Sequence, residues 1–206
     1  MHPTAEVRWF RAGPIPEAVL TWFKRHEPPP QAETARVDQY LKPSGGGGLN
    51  VKLREGHLEI KRRLVAGRQV QFTSDAAGLV ERWRKWSFAC GERVGPQPDR
   101  APTTSDWVAV EKVRLLKTYR LRAGDAGFAD TAADGCEMEL TRVVARGQTW
   151  WTLALEAFGD EAALLDHLFL VGKRALAPPC PVPLRARDSQ GYAAWLAGLV
   201  HEERDP

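Results

Sequence analysis

The chain is poor in the residues that announce the commonest chemistries. It has three cysteines in 206 residues. Cys90, Cys136 and Cys180 are far apart and form no C-x-x-C pair, so neither a zinc ribbon nor a thioredoxin-like motif is available. A reduced, cytoplasmic setting is the simpler expectation. No apolar run approaches the ~20 residues of a membrane span. "MHPTAEVRWF" lacks a basic segment followed by an apolar one, so no secretory leader is expected. Histidine is sparse, and no Ser/His/Asp or Cys/His spacing stands out. His57 falls at a turn and His167 in a helix, where surface or packing roles suffice. "SGGGGLNVK" is rich in glycine but lacks the Gly-Lys-Ser/Thr ending of a phosphate loop and precedes a strand, so it reads as a linker. No solenoid-type repeat is present. The net charge of +3 is too mild by itself to mark a nucleic-acid binder.

What is present is strand-forming sequence with punctuation. "EVRWF", "ARVDQYLKP", "LNVKLREGHLEIKRRL", "RQVQFTS", "WVAVEKVRLLKTYRLRAG" and "ADGCEMELTRVVARGQTWWTLALEAFG" read as strands, the third and last of them as hairpins. "PIPEAVLTWFKRH" reads as a helix, with Pro16 in its first turn and Val19, Leu20 and Phe23 along one stripe. "AAGLVERWRKWSFAC" gathers Leu79, Val80, Trp83 and Trp86 as an amphipathic helix does. "GERVGPQPDRAPTTSD" reads as a loop. "DEAALLDHLFLVGKRALA" is expected to be helical with Asp160 as its cap, and "SQGYAAWLAGLVHEE" helical with Ser189 as its cap. Eight tryptophans are scattered along the chain, as packing residues are. The order predicts an α+β fold, a single domain over 1–206, whose helical segment at about 160–206 packs on an antiparallel sheet or barrel.

Charge placement is the more specific signal. Residues two apart share a strand face. That rule groups Lys52 with Arg54, Glu59 with Lys61 and Arg63, Lys112 with Arg114, Glu137 with Glu139 and Thr141, and Thr152 with Glu156. Two architectures accommodate this. A one-sided sheet would turn these groups to water. A closed barrel would turn them inward and make a cavity, in which converging lysines and arginines need an anion. A phosphate chain suits guanidinium groups, which grip its oxygens in pairs.

These segments, in this order over roughly residues 5 to 175, resemble the CYTH superfamily, the triphosphate tunnel metalloenzymes. "VDQYL" resembles its Asp-x-Tyr strand, "VKLR" its paired basic strand, "LEIKRR" its lysine strand and "EKVR" the next basic strand. "CEMELTRV" and "WWTLALEAFG" resemble its late acidic strands. The resemblance implies a tunnel barrel of about eight antiparallel strands. Arg8, Lys52, Arg54, Lys61, Arg63, Lys112 and Arg114 would hold the phosphates. Glu6, Glu137, Glu139 and Glu156 would hold Mg²⁺ or Mn²⁺, with Glu139 and Glu156 taking part in catalysis. Oxygen-rich sites of this kind suit such cations.

The first strand departs from the family's Glu-x-Glu-x-Lys. Glu6 matches the first glutamate, Arg8 replaces the second and Phe10 replaces the lysine. Thr141 and Ala154 also stand where the family carries acids. Glu137 and Glu139 are either replacement ligands or partners of Lys52, Arg54 or Lys112. Arg8 is either a substitute positive charge or a surface arginine. Glu59 reads as an ion-pair partner. The functional expectation is binding of a polyphosphate-containing anion such as a triphosphate or nucleotide. The alternatives are a divergent metal-dependent triphosphatase and an RNA- or protein-binding module using the basic face.

Overall fold

The computed structural model describes residues 2–25, 27–43, 47–90, 106–121 and 133–201. Ser44 to Gly46 of the glycine-rich stretch, the expected loop after Cys90 up to residue 105, and the end of the last expected helix lie outside them.

The elements follow in the order β1 (His2–Ala12), α1 (Glu17–Arg25), β2 (Gln31–Ala32), β3 (Arg36–Leu41), β4 (Leu49–Arg54), β5 (His57–Thr73), β6 (Ala76–Ala89), β7 (Trp107–Leu121), β8 (Asp134–Ala145), β9 (Gln148–Phe158), α2 (Leu164–Ala175) and α3 (Tyr192–His201). The strands run β7-β3-β4-β5-β6-β1-β9-β8, and β8 pairs back with β7. All these pairs are antiparallel, so eight strands close into a barrel. Closure gives each of the eight strands a paired neighbour on both sides over part of its length. The two-residue β2 continues the course of the short β3 along β7.

Local chemistry explains the tight hairpins. The β4–β5 turn places Glu55 and Gly56 at positive φ, and the β8–β9 turn does the same with Arg146 and Gly147. Two successive positive-φ residues make the turn whose twist matches paired strands, and glycine adopts the second at no steric cost. The carbonyl of Pro16 accepts from the N–H groups of Val19 and Leu20 and so starts α1.

Three sequence expectations are corrected. Residues 76–89 form β6 and not a helix. Val80 faces the packed outer side while Trp83 faces the barrel interior, because this strand is covered on both faces. Apolar residues on both faces blur the alternation by which a strand is recognised. The segment "RQVQFTS" is not a separate strand but the end of the 17-residue β5. The caps differ from expectation. Asp160 Oδ1 accepts from the Ala162 N–H at 3.2 Å, in the turn that leads into α2 and not at the helix start itself, which lies at Leu164 behind Ala163, and Ser189 Oγ accepts instead from the Leu79 N–H at 2.8 Å.

Apolar residues pack in two places. Outside the wall, Val7, Trp9, Met138, Leu140, Leu153 and Leu155 meet Val19 and Phe23 of α1 and Leu164, Leu168 and Val171 of α2. Inside it, at one end, Phe10, Tyr40, Val108, Val110 and Val143 meet Trp195, Leu196 and Leu199 of α3. Pairing of β1 with β6 stops at Glu6 and Glu81. Beyond that point Ser189 bridges to Trp9, and Gln190 N–H donates to the Arg8 carbonyl at 2.9 Å. The chain thus fills the gap between the diverging strands and carries α3 into the barrel end as a plug. No helix among the described residues is long and apolar enough to cross a membrane.

Candidate anion site

Above the plug lies a cavity of about 130 Å³. Its walls carry eight basic side chains: Arg8, Arg36, Lys52, Arg54, Lys61, Lys85, Lys112 and Arg114. Glu6, Glu59, Glu139 and Glu156 line it too, with Asn50, Thr141, Tyr40, Trp83 and Tyr192. Of the expected anion-binding residues, only Arg63 is absent from this lining. Its Nη1 donates to Glu81 at 2.7 Å. Of the expected carboxylates, Glu137 is absent from the lining, and burial together with Glu156 raises its pKa.

The cations do not stand free. Asp38 is fully buried and receives Lys112 at 3.0 Å, Lys52 at 3.2 Å and Arg36 at 3.3 Å. Burial would raise its pKa, but Lys112 and Lys52 outweigh that and hold it well below the usual carboxylate range. Lys112 Nζ also donates to the Tyr40 hydroxyl at 2.6 Å and lies 3.8 Å from the centre of the Tyr192 ring. Burial and the neighbouring Lys52 pull the pKa of Lys112 down against the attraction of Asp38. Glu59 joins Lys52 at 3.1 Å and Lys85 at 3.0 Å. Burial opposes its ionisation, yet these two ammonium groups push its pKa down to about 2. The expectation that Glu59 is an ion-pair partner holds, with Lys52 and Lys85 as the partners.

Arg8 is buried and not a surface arginine. Its guanidinium forms an ion pair with Glu139 and donates to Thr152 Oγ1 at 3.0 Å. Arg114 reaches the other oxygen of Glu139 at 2.9 Å and grips Glu33 with two nitrogens. Burial alone would raise the pKa of Glu139, but Arg8 and Arg114 reverse this and hold it far below its ordinary value. Lys61 lies between two carboxylates, 2.6 Å from Glu6 and 2.8 Å from Glu156. Burial would lower the pKa of Lys61, and the two glutamates raise it instead.

A general base works best with a pKa near the working pH. Glu139 and Glu156, the expected catalytic pair, are both held below their ordinary value by buried cations. The arrangement is therefore suited to holding an anion by charge-assisted hydrogen bonds from Arg and Lys, and poorly suited to drawing a proton from water. A divalent metal does not fit the carboxylates as they stand, because Lys61 lies between Glu6 and Glu156 and two arginines hold both oxygens of Glu139. Among the described residues, no group of three His, Cys, Asp or Glu is arranged to hold a metal ion.

Several lining residues escape the sequence reading. Arg36 and Asn50 continue the alternation of Asp38 and of Lys52, so period two was their signal. Lys85 was hidden by reading β6 as a helix. Tyr192, and Glu33 behind Arg36 and Arg114, carry no local signal, since only the course of the chain around the barrel brings them to the site.

No protein-family model matches the chain, and no curated protein matches it. Among solved structures, the Pct1 RNA triphosphatase of S. pombe, determined in complex with the Spt5 CTD, is similar at 13% identity and a TM-score of 0.40, over 99% of this chain and 82% of that one.

Proposed function

We propose that the barrel binds a polyphosphate-containing anion, such as a triphosphate or a nucleotide, in its basic cavity. The carrying observation is that six strands turn eight cations into one small cavity, against seven carboxylates that pair with them: Glu6, Glu33, Asp38, Glu55, Glu59, Glu139 and Glu156. The positive excess is small but buried, where Coulomb interactions are strong. Arg54 faces the cavity, and its ion-pair partner among the described residues is the exposed Glu55, at 3.4 Å. It is the side chain best placed to turn to an incoming phosphate. The sequence resemblance to triphosphate tunnel enzymes points the same way.

Thermal unfolding with tripolyphosphate, ATP and thiamine triphosphate tests the reading. A ligand that binds only the folded chain raises the melting temperature. The shift should shrink in Lys52→Ala, Arg54→Ala and Arg114→Ala. An unchanged shift in all three would remove the site. Phosphate release from the same compounds with Mg²⁺ or Mn²⁺ should be at background, and turnover would restore the hydrolase reading.

A further inference from the structure

The register of the barrel places four glutamates in one row. Glu81 faces Glu6 across β6 and β1, Glu6 faces Glu156 across β1 and β9, and Glu156 faces Glu137 across β9 and β8. Directly paired residues on neighbouring strands lie ~5 Å apart at their Cα atoms, and like charges so placed repel. Such a row needs positive charge. The chain supplies it from one strand, two residues apart on the same face: Lys61 bridges Glu6 and Glu156 at 2.6 and 2.8 Å, and Arg63 takes Glu81 at 2.7 Å. Two residues along β1 from Glu6 stands the guanidinium of Arg8, bound to Glu139.

Resting on the anion-binding reading, we propose that Lys61 is a built-in counter-cation for this acid row, and that the site takes the free polyphosphate and not its divalent-metal chelate. A Mg²⁺ or Mn²⁺ ion at Glu6 and Glu156 would have to displace the ammonium already between them and sit beside Arg8, and both interactions are repulsive. A metal-free polyphosphate leaves Lys61 in place, and Arg54, paired with the exposed Glu55, faces it from the cavity wall. Arg63 belongs to the same device, which accounts for its turning to Glu81 and not to the cavity.

Calorimetric titration with tripolyphosphate in EDTA, and again with excess Mg²⁺, reads this directly. The affinity should be full in EDTA and fall at least tenfold in excess Mg²⁺, as the metal sequesters the free anion. Binding that appears only with Mg²⁺ or Mn²⁺ would overturn the inference and leave anion binding intact. No binding in either condition would overturn both. A second measurement does not depend on the anion. Mn²⁺ alone should leave the melting temperature of the wild-type chain unchanged, and should raise that of Lys61→Ala, where Glu6 and Glu156 are released. A wild-type chain stabilised by Mn²⁺ sinks the proposal, whether or not the variant folds.

Discussion

Arg8 and Glu139, 131 residues apart in sequence, meet as a buried ion pair inside the barrel, one on each side of β9. Arg114 holds the other oxygen of Glu139, so both oxygens of this carboxylate face a guanidinium.

That pair should be costly to break from one side. Arg8→Met removes the guanidinium and leaves Glu139 buried with Arg114 as its remaining cation. Uncompensated buried charge costs about 3–5 kcal/mol. Urea unfolding of the variant should show a loss of this order, and Arg8→Met with Glu139→Leu should recover most of it. Equal losses in the single and double variants would mean that the pair is not the cause.

Acid should unfold the protein over a defined window. Asp38 and Glu139 are held far below their ordinary values, and Glu59 is pushed from 4.5 to about 2. Depressed folded-state values give stability that is fully present above the unfolded-state value and lost as pH falls through the folded-state one. The melting temperature should therefore drop steeply as pH falls from the ordinary value of 4.5 toward about 2. A scanning-calorimetry series across that range checks it, and a flat profile contradicts the ion-pair network.

Anion binding should take up protons in alkaline solution. In the free protein, burial lowers the pKa of both Lys52 and Lys112 below the ordinary 10.5. A polyphosphate beside them favours the charged form and raises both. Between the lowered values and 10.5, titrations in buffers of different ionisation enthalpy should report net proton uptake. Affinity should fall as pH rises through the same range. Proton release on binding would mean that the anion sits elsewhere.

The plug can be tested through Trp195, which is 2% exposed and stacked on Phe10 with ring centres 4.7 Å apart. Truncating a buried tryptophan to alanine costs about 3–5 kcal/mol. Trp195→Ala should lose that much in a denaturant titration. The indole N–H has no hydrogen-bond partner among the described residues, so Trp195→Phe should retain most of the stability.

The alternation in "VKLR", "LEIKRR" and "EKVR" by itself fixed which charged residues share a face, because side-chain direction in a strand depends only on position along it. It also fixed the two hairpin turns, where glycine follows a residue that must take positive φ. Which face is inside was decided only when β8 paired with β7 and closed the sheet. The partners Lys61–Glu6 and Arg8–Thr152, 55 and 144 residues apart, depend on register across that closed wall. Local sequence carries no trace of it. The same holds for Tyr192, which reaches Lys112 because α3 enters the barrel end, and for β6, whose two covered faces gave its sequence the pattern of a helix.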